Sequence, residues 1–197
     1  PFGGAKVMVE IRDETAKIDL NAAAPALLSG LFVELGEPRE RAERLAGAIV
    51  DWRDPDNLSQ PVGGAEDPAY ASAGLAWGAK DAPFDSVAEL EQVLGMRPAL
   101  YAAAAPYLTM YSGNATPDAN IADGIVLAAM GLQPRAAPID PDAPPASPGS
   151  GTYSIDSRAR LPDGRSAHLS VVLRMGGNAL PGSTYTPLRW QAGSDAR

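Results

Sequence analysis

The chain has 197 residues, with 24 acidic against 16 basic side chains and a formal net charge of −8 at pH 7. This length suits one domain or two small ones. The acidic balance argues against nucleic acids and anionic membranes as partners, because both are bound through clustered Lys and Arg. Cys is absent, which excludes disulfides, thiolate zinc sites and a Cys nucleophile.

The N-terminal part alternates apolar and polar residues, first over residues 6–12 and again over residues 17–20. Alternation of this kind is typical of half-buried strands, so the two segments and the polar turn between them predict a β-hairpin. Asn21 follows directly. Because an Asn side chain can accept from an unpaired backbone N–H, this residue predicts the N-cap of a helix over residues 22–30.

The middle of the chain has helical periodicity. A helix is predicted over residues 39–52, where apolar residues recur at helical spacing opposite a charged face. Ser86 and Glu89 form a capping box that predicts another helix start. Further helices are predicted over residues 99–105 and 121–130.

Residues 133–149 contain six Pro, which is typical of a linker with extended character. Alternation then returns over residues 153–161 and 167–175, on either side of an Asp-Gly turn that predicts a hairpin. A short last strand is expected over residues 185–190. Strands at both ends with helices between them predict an α+β fold, in which a helical insertion interrupts one sheet.

Residues 51–70, called the acidic loop from here on, hold five carboxylates against Arg53. Pro and Gly break regular structure there, and hard oxygen ligands on such a loop suit Ca²⁺. The spacing is not that of an EF-hand. The alternative is that these carboxylates cap helix ends, pair with Arg53 or stay solvated. The candidate ligands are Asp54, Asp56, Glu66 and Asp67.

Residues 21–52 and 86–107 share a helix–turn–helix plan with a Gly in each turn, which resembles the helix–hairpin–helix (SAM-like) motif. Each turn has a single Gly, and the surrounding charge has the wrong sign for DNA, so a packing role is expected. His168 is the only His and lies mid-strand on a polar face. No catalytic site is predicted, and the chain is expected not to be an enzyme.

Four segments together resemble a known family, protein K of the type II (general) secretion pathway, which is the large minor pseudopilin. They are KIDLN at residues 17–21, AGAIVDWRDPD at 46–56, GAEDPAY at 64–70 and SVAELEQVLGM at 86–96. The resemblance spans roughly residues 7–132. It implies a pseudopilin-like antiparallel sheet, formed by residues 1–20 and 151–197, a helical domain inserted over residues 21–132 and a linker over residues 133–150.

The resemblance also implies a location and partners. The protein is expected at the tip of the periplasmic pseudopilus of a Gram-negative bacterium, bound to minor pseudopilins I and J, with secreted substrate and the secretin as further candidate partners. A hydrophobic N-terminal helix, absent from this sequence, would provide the only membrane contact. The family binds calcium in its helical domain, which carries over to Asp54, Asp56, Glu66 and Asp67 only as a hypothesis. The alternatives are a nucleic-acid-binding module and a free calcium-dependent periplasmic binding or hydrolytic domain.

Overall fold

The computed structural model describes residues 4–133, 149–176 and 184–195. These residues form two compact units. The sheet unit contains residues 4–14, 149–176 and 184–195, and the helical unit contains residues 15–133. Most of the predicted Pro-rich linker falls outside the described residues.

The α+β class is confirmed, with strands and helices largely separated between the two units. In chain order the strands are β1 (Lys6–Asp13), β2 (Ile18–Asp19), β3 (Leu108–Thr109), β4 (Thr152–Arg160), β5 (Ser166–Met175) and β6 (Tyr185–Asp195). The α-helices are α1 (Pro25–Glu34), α2 (Arg39–Arg53), α3 (Asp67–Ser72), α4 (Pro98–Ala104) and α5 (Gly124–Ala129). None of the helices in the described ranges is both long and apolar enough to cross a membrane.

The sheet unit is a four-stranded antiparallel sheet in the order β1-β4-β5-β6. The predicted β4–β5 hairpin is confirmed: Gly164 takes a φ of 88° in its turn, and the N–H of Leu161 donates to Arg165 O across it. The last strand extends to Asp195, five residues beyond the expected end. Apolar side chains share one face, because the register aligns Ile11, Ile155, Val171 and Trp190 in one cross-strand row.

The predicted N-terminal hairpin is wrong. Strand β1 pairs antiparallel with β4, and β2 pairs in parallel with β3 in the helical unit. Residues Glu14–Ala16 form one 3₁₀ turn between the two strands. Alternation shows that a segment is a strand but does not identify its partner, and here both partners are distant in sequence. Ile18 and Leu20 are fully buried in the core of the helical unit.

The predicted cap at Asn21 is also wrong. Helix α1 begins at Pro25, with Ala24 in the N-cap position, because the fixed φ of Pro suits the first helical position. The Asn21 side chain instead makes two hydrogen bonds with the backbone of Phe84: its amide nitrogen donates to the Phe84 carbonyl at 3.0 Å, and its oxygen accepts from the Phe84 N–H at 2.7 Å. Asn21 therefore connects two segments 63 residues apart.

Helix α2 was predicted within one residue, and its apolar face is buried. The capping box at Ser86 is present, with Glu89 accepting from the Ser86 N–H at 2.8 Å, but it starts a 3₁₀ helix (Val87–Gln92). Glu37, beside the α1–α2 turn, pairs with Arg97 beside the turn into α4, so an ion pair joins the two turns. The helix–hairpin–helix assignment itself stays a prediction.

Candidate functional site

The acidic loop is fastened to helix α2 by a buried carboxylate. Asp51, in the last turns of the helix, is fully buried and accepts from the backbone N–H groups of Gln60 at 3.1 Å and Ala65 at 2.6 Å. These two bonds hold both halves of the loop against the end of α2. Asp51 is therefore a positioning residue, and its hydrogen bonds shape the loop.

Two glycines allow the loop to lie directly on the helix. A Cβ on Gly47 would be 2.2 Å from the carbonyl oxygen of Val62, and one on Gly63 would be 2.0 Å from the Cα of Arg44. Both distances are far inside van der Waals contact and involve backbone atoms. Gly63 also has a φ of 73°, which favours glycine. Small residues at these positions let the acidic loop lie against the middle of α2.

Three carboxylates of the acidic loop come together near the end of α2, those of Asp54, Asp56 and Glu66. Each offers one carboxylate oxygen, and the three oxygens lie within 4.8 Å of one another. Calcium–oxygen distances are about 2.3–2.6 Å, so two oxygens bound to one Ca²⁺ are at most about 5 Å apart. The three carboxylates are therefore close enough to ligate a single ion.

Glu66 is the most unusual member of this cluster. Its residue is 4% exposed, and neither carboxylate oxygen has a hydrogen-bond partner. One oxygen of Asp54 is likewise buried without a partner. Asp56 is exposed and accepts from the Leu58 N–H at 2.8 Å. A buried carboxylate is stable only when it is paired, bound to a cation or protonated. The described contacts give Glu66 no pairing partner, so its carboxylate needs a cation or a proton.

The electrostatics agree with this geometry. Burial, aided by the nearby charges of Asp51, Asp81 and Asp54, raises the pKa of Glu66 to about 7. Burial also raises the pKa of Asp54. A bound divalent cation would reverse this effect, because it favours the ionised form of each carboxylate.

One alternative was that Arg53 pairs with the carboxylates of the acidic loop. Its described hydrogen bonds do not go to the three clustered carboxylates. Its guanidinium donates to the carbonyl oxygens of Leu20 and of Ala23, the latter at 2.7 Å. The side chain thus connects the C-terminal end of α2 to the segment before α1. This arrangement leaves the three carboxylates without a basic hydrogen-bond donor among the described contacts.

Asp67 does not join the other three predicted ligands. It is the first residue of helix α3, and its Oδ1 occupies the space where a Cβ on Gly78 would lie. Its carboxylate is not part of the group of three whose oxygens lie within 4.8 Å of one another, although Asp67 is adjacent to Glu66 in sequence. The structure therefore brings three of the four predicted ligands together in one cluster.

Asp81 was missed by sequence reasoning. It has a φ of 54°, which is strained for a residue with a side chain, and its Oδ1 is buried without a partner. Its charge contributes to the raised pKa values of Glu66 and Asp54. Asp81 lies in an irregular segment with no pattern to connect it with the loop, so only the tertiary structure reveals its proximity.

Three buried aromatic residues pack beneath the loop. Trp52, Tyr70 and Phe84 are buried, with ring centroids 6.1 Å apart for Trp52 and Tyr70 and 6.2 Å apart for Trp52 and Phe84. The Tyr70 hydroxyl also accepts from the Leu94 N–H at 3.1 Å. These contacts fix the ends of α2 and α3, from which Asp54 and Glu66 project.

Comparison with known proteins identifies the family. The sequence profile of type II secretion system protein K matches residues 9–113, which is more than half of the chain and includes the whole acidic loop. The chain belongs to this family. The family consists of minor pseudopilins, which are components of a protein-transport machinery.

Individual relatives agree with the family match. The chain is 35% identical over 123 residues to type II secretion system protein K of Pectobacterium carotovorum subsp. carotovorum, covering 55% of this chain and 37% of the relative. The protein K of Dickeya chrysanthemi is 38% identical over 79 residues, covering 40% of this chain and 21% of the relative. The chain thus spans about a third or less of these relatives.

The fold resembles a solved structure. A chain in the crystal structure of the GspK–GspI–GspJ complex of the enterotoxigenic Escherichia coli type 2 secretion system matches with a TM-score of 0.70. The match covers 98% of this chain and 81% of that chain at 19% sequence identity. At this identity the likeness concerns the fold, and it includes both the sheet unit and the helical unit.

Proposed function

We propose that this chain is the periplasmic part of the minor pseudopilin at the tip of a type II secretion pseudopilus. A hydrophobic N-terminal helix would anchor the protein in the inner membrane of a Gram-negative bacterium before assembly. The family match over residues 9–113 carries this proposal, and the fold likeness to a chain of a three-pseudopilin complex supports it.

The partners we propose are minor pseudopilins I and J of the same system. The helical unit would form the end of the fibre, because its bulk prevents another subunit from stacking above it. Contacts with secreted substrate or the secretin would then involve this exposed end. The role is structural, and no catalytic step is required of the chain.

Light scattering after size exclusion tests the assembly. The chain is mixed with soluble domains of its cognate I and J pseudopilins, and each pairwise mixture serves as a comparison. One complex with a single copy of each protein is the expected result. If the three proteins elute separately, the experiment is repeated with a form of this chain that carries the N-terminal helix. Separate elution of that form as well would contradict the proposed tip complex.

We further propose that the acidic loop binds Ca²⁺ through Asp54, Asp56 and Glu66. Support comes from the three converging carboxylates and from the buried, unpartnered oxygens of Glu66. Calcium accepts six to eight oxygens in flexible geometry, so solvent and further oxygens would complete its shell. The ion would neutralise the loop and stabilise the helical unit.

Thermal unfolding with calcium and with EDTA tests this second proposal. Calcium should raise the melting temperature, because a ligand that binds only the folded state stabilises it by mass action. Asp56→Ala should remove the response, whereas Asp67→Ala, outside the cluster, should keep it. An equal response in both variants would exclude the proposed ligand set, and identical melts of the unmodified chain would exclude the site.

No contact of the described residues favours the nucleic-acid alternative. Binding of duplex DNA that weakens with salt would support it and would contradict the argument from acidic charge.

A further inference from the structure

Strand β1 forms an open edge of the four-stranded sheet. Among the residues that the structure describes, it pairs with β4 on one side only, and its side chains are exposed from Lys6 to Arg12. The exposed fractions reach 55% for Val9, 63% for Ile11 and 71% for Met8. An edge strand presents alternate backbone N–H and C=O groups that lack a strand partner, so it can accept another strand.

The opposite edge is protected, but β1 is not. Strand β6 carries Pro187, which lacks an N–H, and its register with β5 shifts between Val172 and Leu173. Proline and register irregularities are devices that discourage strand addition. Strand β1 has neither Pro nor Gly between Lys6 and Asp13, and it pairs with β4 in continuous register.

The sequence of β1 is complementary to itself in one antiparallel register. When two copies are centred on Met8, Met8 faces Met8 and Val7 faces Val9. Lys6 then faces Glu10, and symmetry makes this oppositely charged pair twice. Directly opposed charges of opposite sign stabilise a strand pair. We propose that, in the absence of pseudopilins I and J, the β1 edge pairs antiparallel with the β1 edge of a second copy of this chain, centred on Met8.

The next symmetric register is less favourable. Centring the pair on Val9 places Lys6 opposite Arg12, and directly opposed like charges destabilise a strand pair. A shift by a single residue in the pairing would place the apolar face of one sheet beside the polar face of the other. The Met8 register keeps Val7 and Val9 of both copies on one continuous apolar face. Charge and patterning thus select the same arrangement.

Disulfide trapping tests the register, because the chain has no Cys of its own. In the proposed pair the two Met8 Cα atoms lie about 4.5–5.5 Å apart, which suits a disulfide. Ile11→Cys is the matched control, because it lies on the same exposed strand but its two copies would be about 20 Å apart. Mild oxidation should give a covalent dimer with Met8→Cys and a monomer with Ile11→Cys. Equal cross-linking of the two variants would indicate random collision and overturn the proposal.

A charge exchange tests the pairing independently. Lys6→Glu and Glu10→Lys each place like charges opposite one another twice, so each variant alone should dimerise about tenfold more weakly than the unmodified chain. Mixing the two single variants restores both opposite-charge pairs, and a mixed dimer should form. Sedimentation velocity measures all three samples. If the unmodified chain dimerises but the mixture of the two variants does not associate, this register is contradicted.

The same measurements would also detect a different binding partner at the β1 edge. If the unmodified chain stays monomeric while Met8→Arg loses binding to cognate pseudopilins I and J, the edge accepts a strand from a partner, and the self-pairing is overturned. This readout does not depend on the calcium site. It also separates failure of self-pairing from failure of the proposed tip complex, because the complex is measured in the same experiment.

Discussion

Replacing Glu66 by Gln should make the metal-free protein more stable at neutral pH and less responsive to calcium. Glu66 is 4% exposed, its oxygens have no hydrogen-bond partner, and its pKa rises from the ordinary 4.5 to about 7 in the folded chain. Because folding favours the protonated form, the stabilisation from this group is complete below about pH 4.5 and is lost as the pH rises through about 7. Each pH unit between the two pKa values corresponds to about 1.4 kcal/mol, so the loss amounts to about 3 kcal/mol.

Urea unfolding measures this loss directly. In EDTA, the unmodified chain should lose about 3 kcal/mol relative to Glu66→Gln between about pH 4.5 and pH 8, because Gln has no proton to release. In calcium at about pH 8 the order should reverse, since the ion binds the ionised carboxylate and stabilises the folded chain by mass action. Asp67→Asn is the matched control, with a calcium response like that of the unmodified chain.

One outcome would refute the reasoning. If the unmodified chain and Glu66→Gln show parallel stability across this pH range in EDTA, Glu66 does not change its ionisation on folding. The carboxylate would then be hydrated or paired in solution. A persistent calcium response in Glu66→Gln would further show that the ion binds elsewhere.

Three more substitutions test the packing around the loop, each by urea unfolding. Asp51→Ala removes the acceptor for two loop N–H groups, so it should cost about 2–4 kcal/mol and abolish the calcium response; a small cost would mean that the loop is held by other contacts. Gly47→Ala places a Cβ in contact with the backbone of the loop and should cost about 2 kcal/mol. The control Gly74→Ala should cost only about 1 kcal/mol, because the added Cβ meets no neighbour and only the positive φ is unfavourable. Glu37→Ala removes a buried carboxylate that pairs with the half-exposed Arg97, so it should cost about 1 kcal/mol. Glu40→Ala, in a pair that is exposed on both sides, should change stability by at most about 0.5 kcal/mol, and equal effects would contradict this distinction.

Local patterns succeeded where the determining contacts are local. Helix α2 was predicted within one residue at its C-terminal end, because its periodic apolar positions lie three and four residues apart on one face. The β4–β5 hairpin was predicted from the Asp-Gly turn and the alternation around it. In both cases the pattern and the contacts that it produces lie within the same short segment.

Local patterns failed where the partner is distant. Strand β1 was recognised, but its pairing with β4 joins residues 140 to 154 positions apart, and nothing near β1 indicates this. Asn21 has the side chain of a good N-cap, yet it bonds to Phe84 because Pro25 starts the helix later. A residue with several chemically suitable roles takes the one that its tertiary neighbours offer.

The sequence by itself determined the α+β class, the strongest helix, the C-terminal hairpin, the family and the loop that holds the carboxylates. Only the tertiary structure decided which carboxylates meet: the buried Glu66 lies close to Asp54 and the exposed Asp56, Asp67 begins α3 outside this group, and Asp81 approaches from an irregular segment. The physical reason is that ligation and burial depend on where side chains lie in space. Along this loop, spacing in the sequence does not specify those positions.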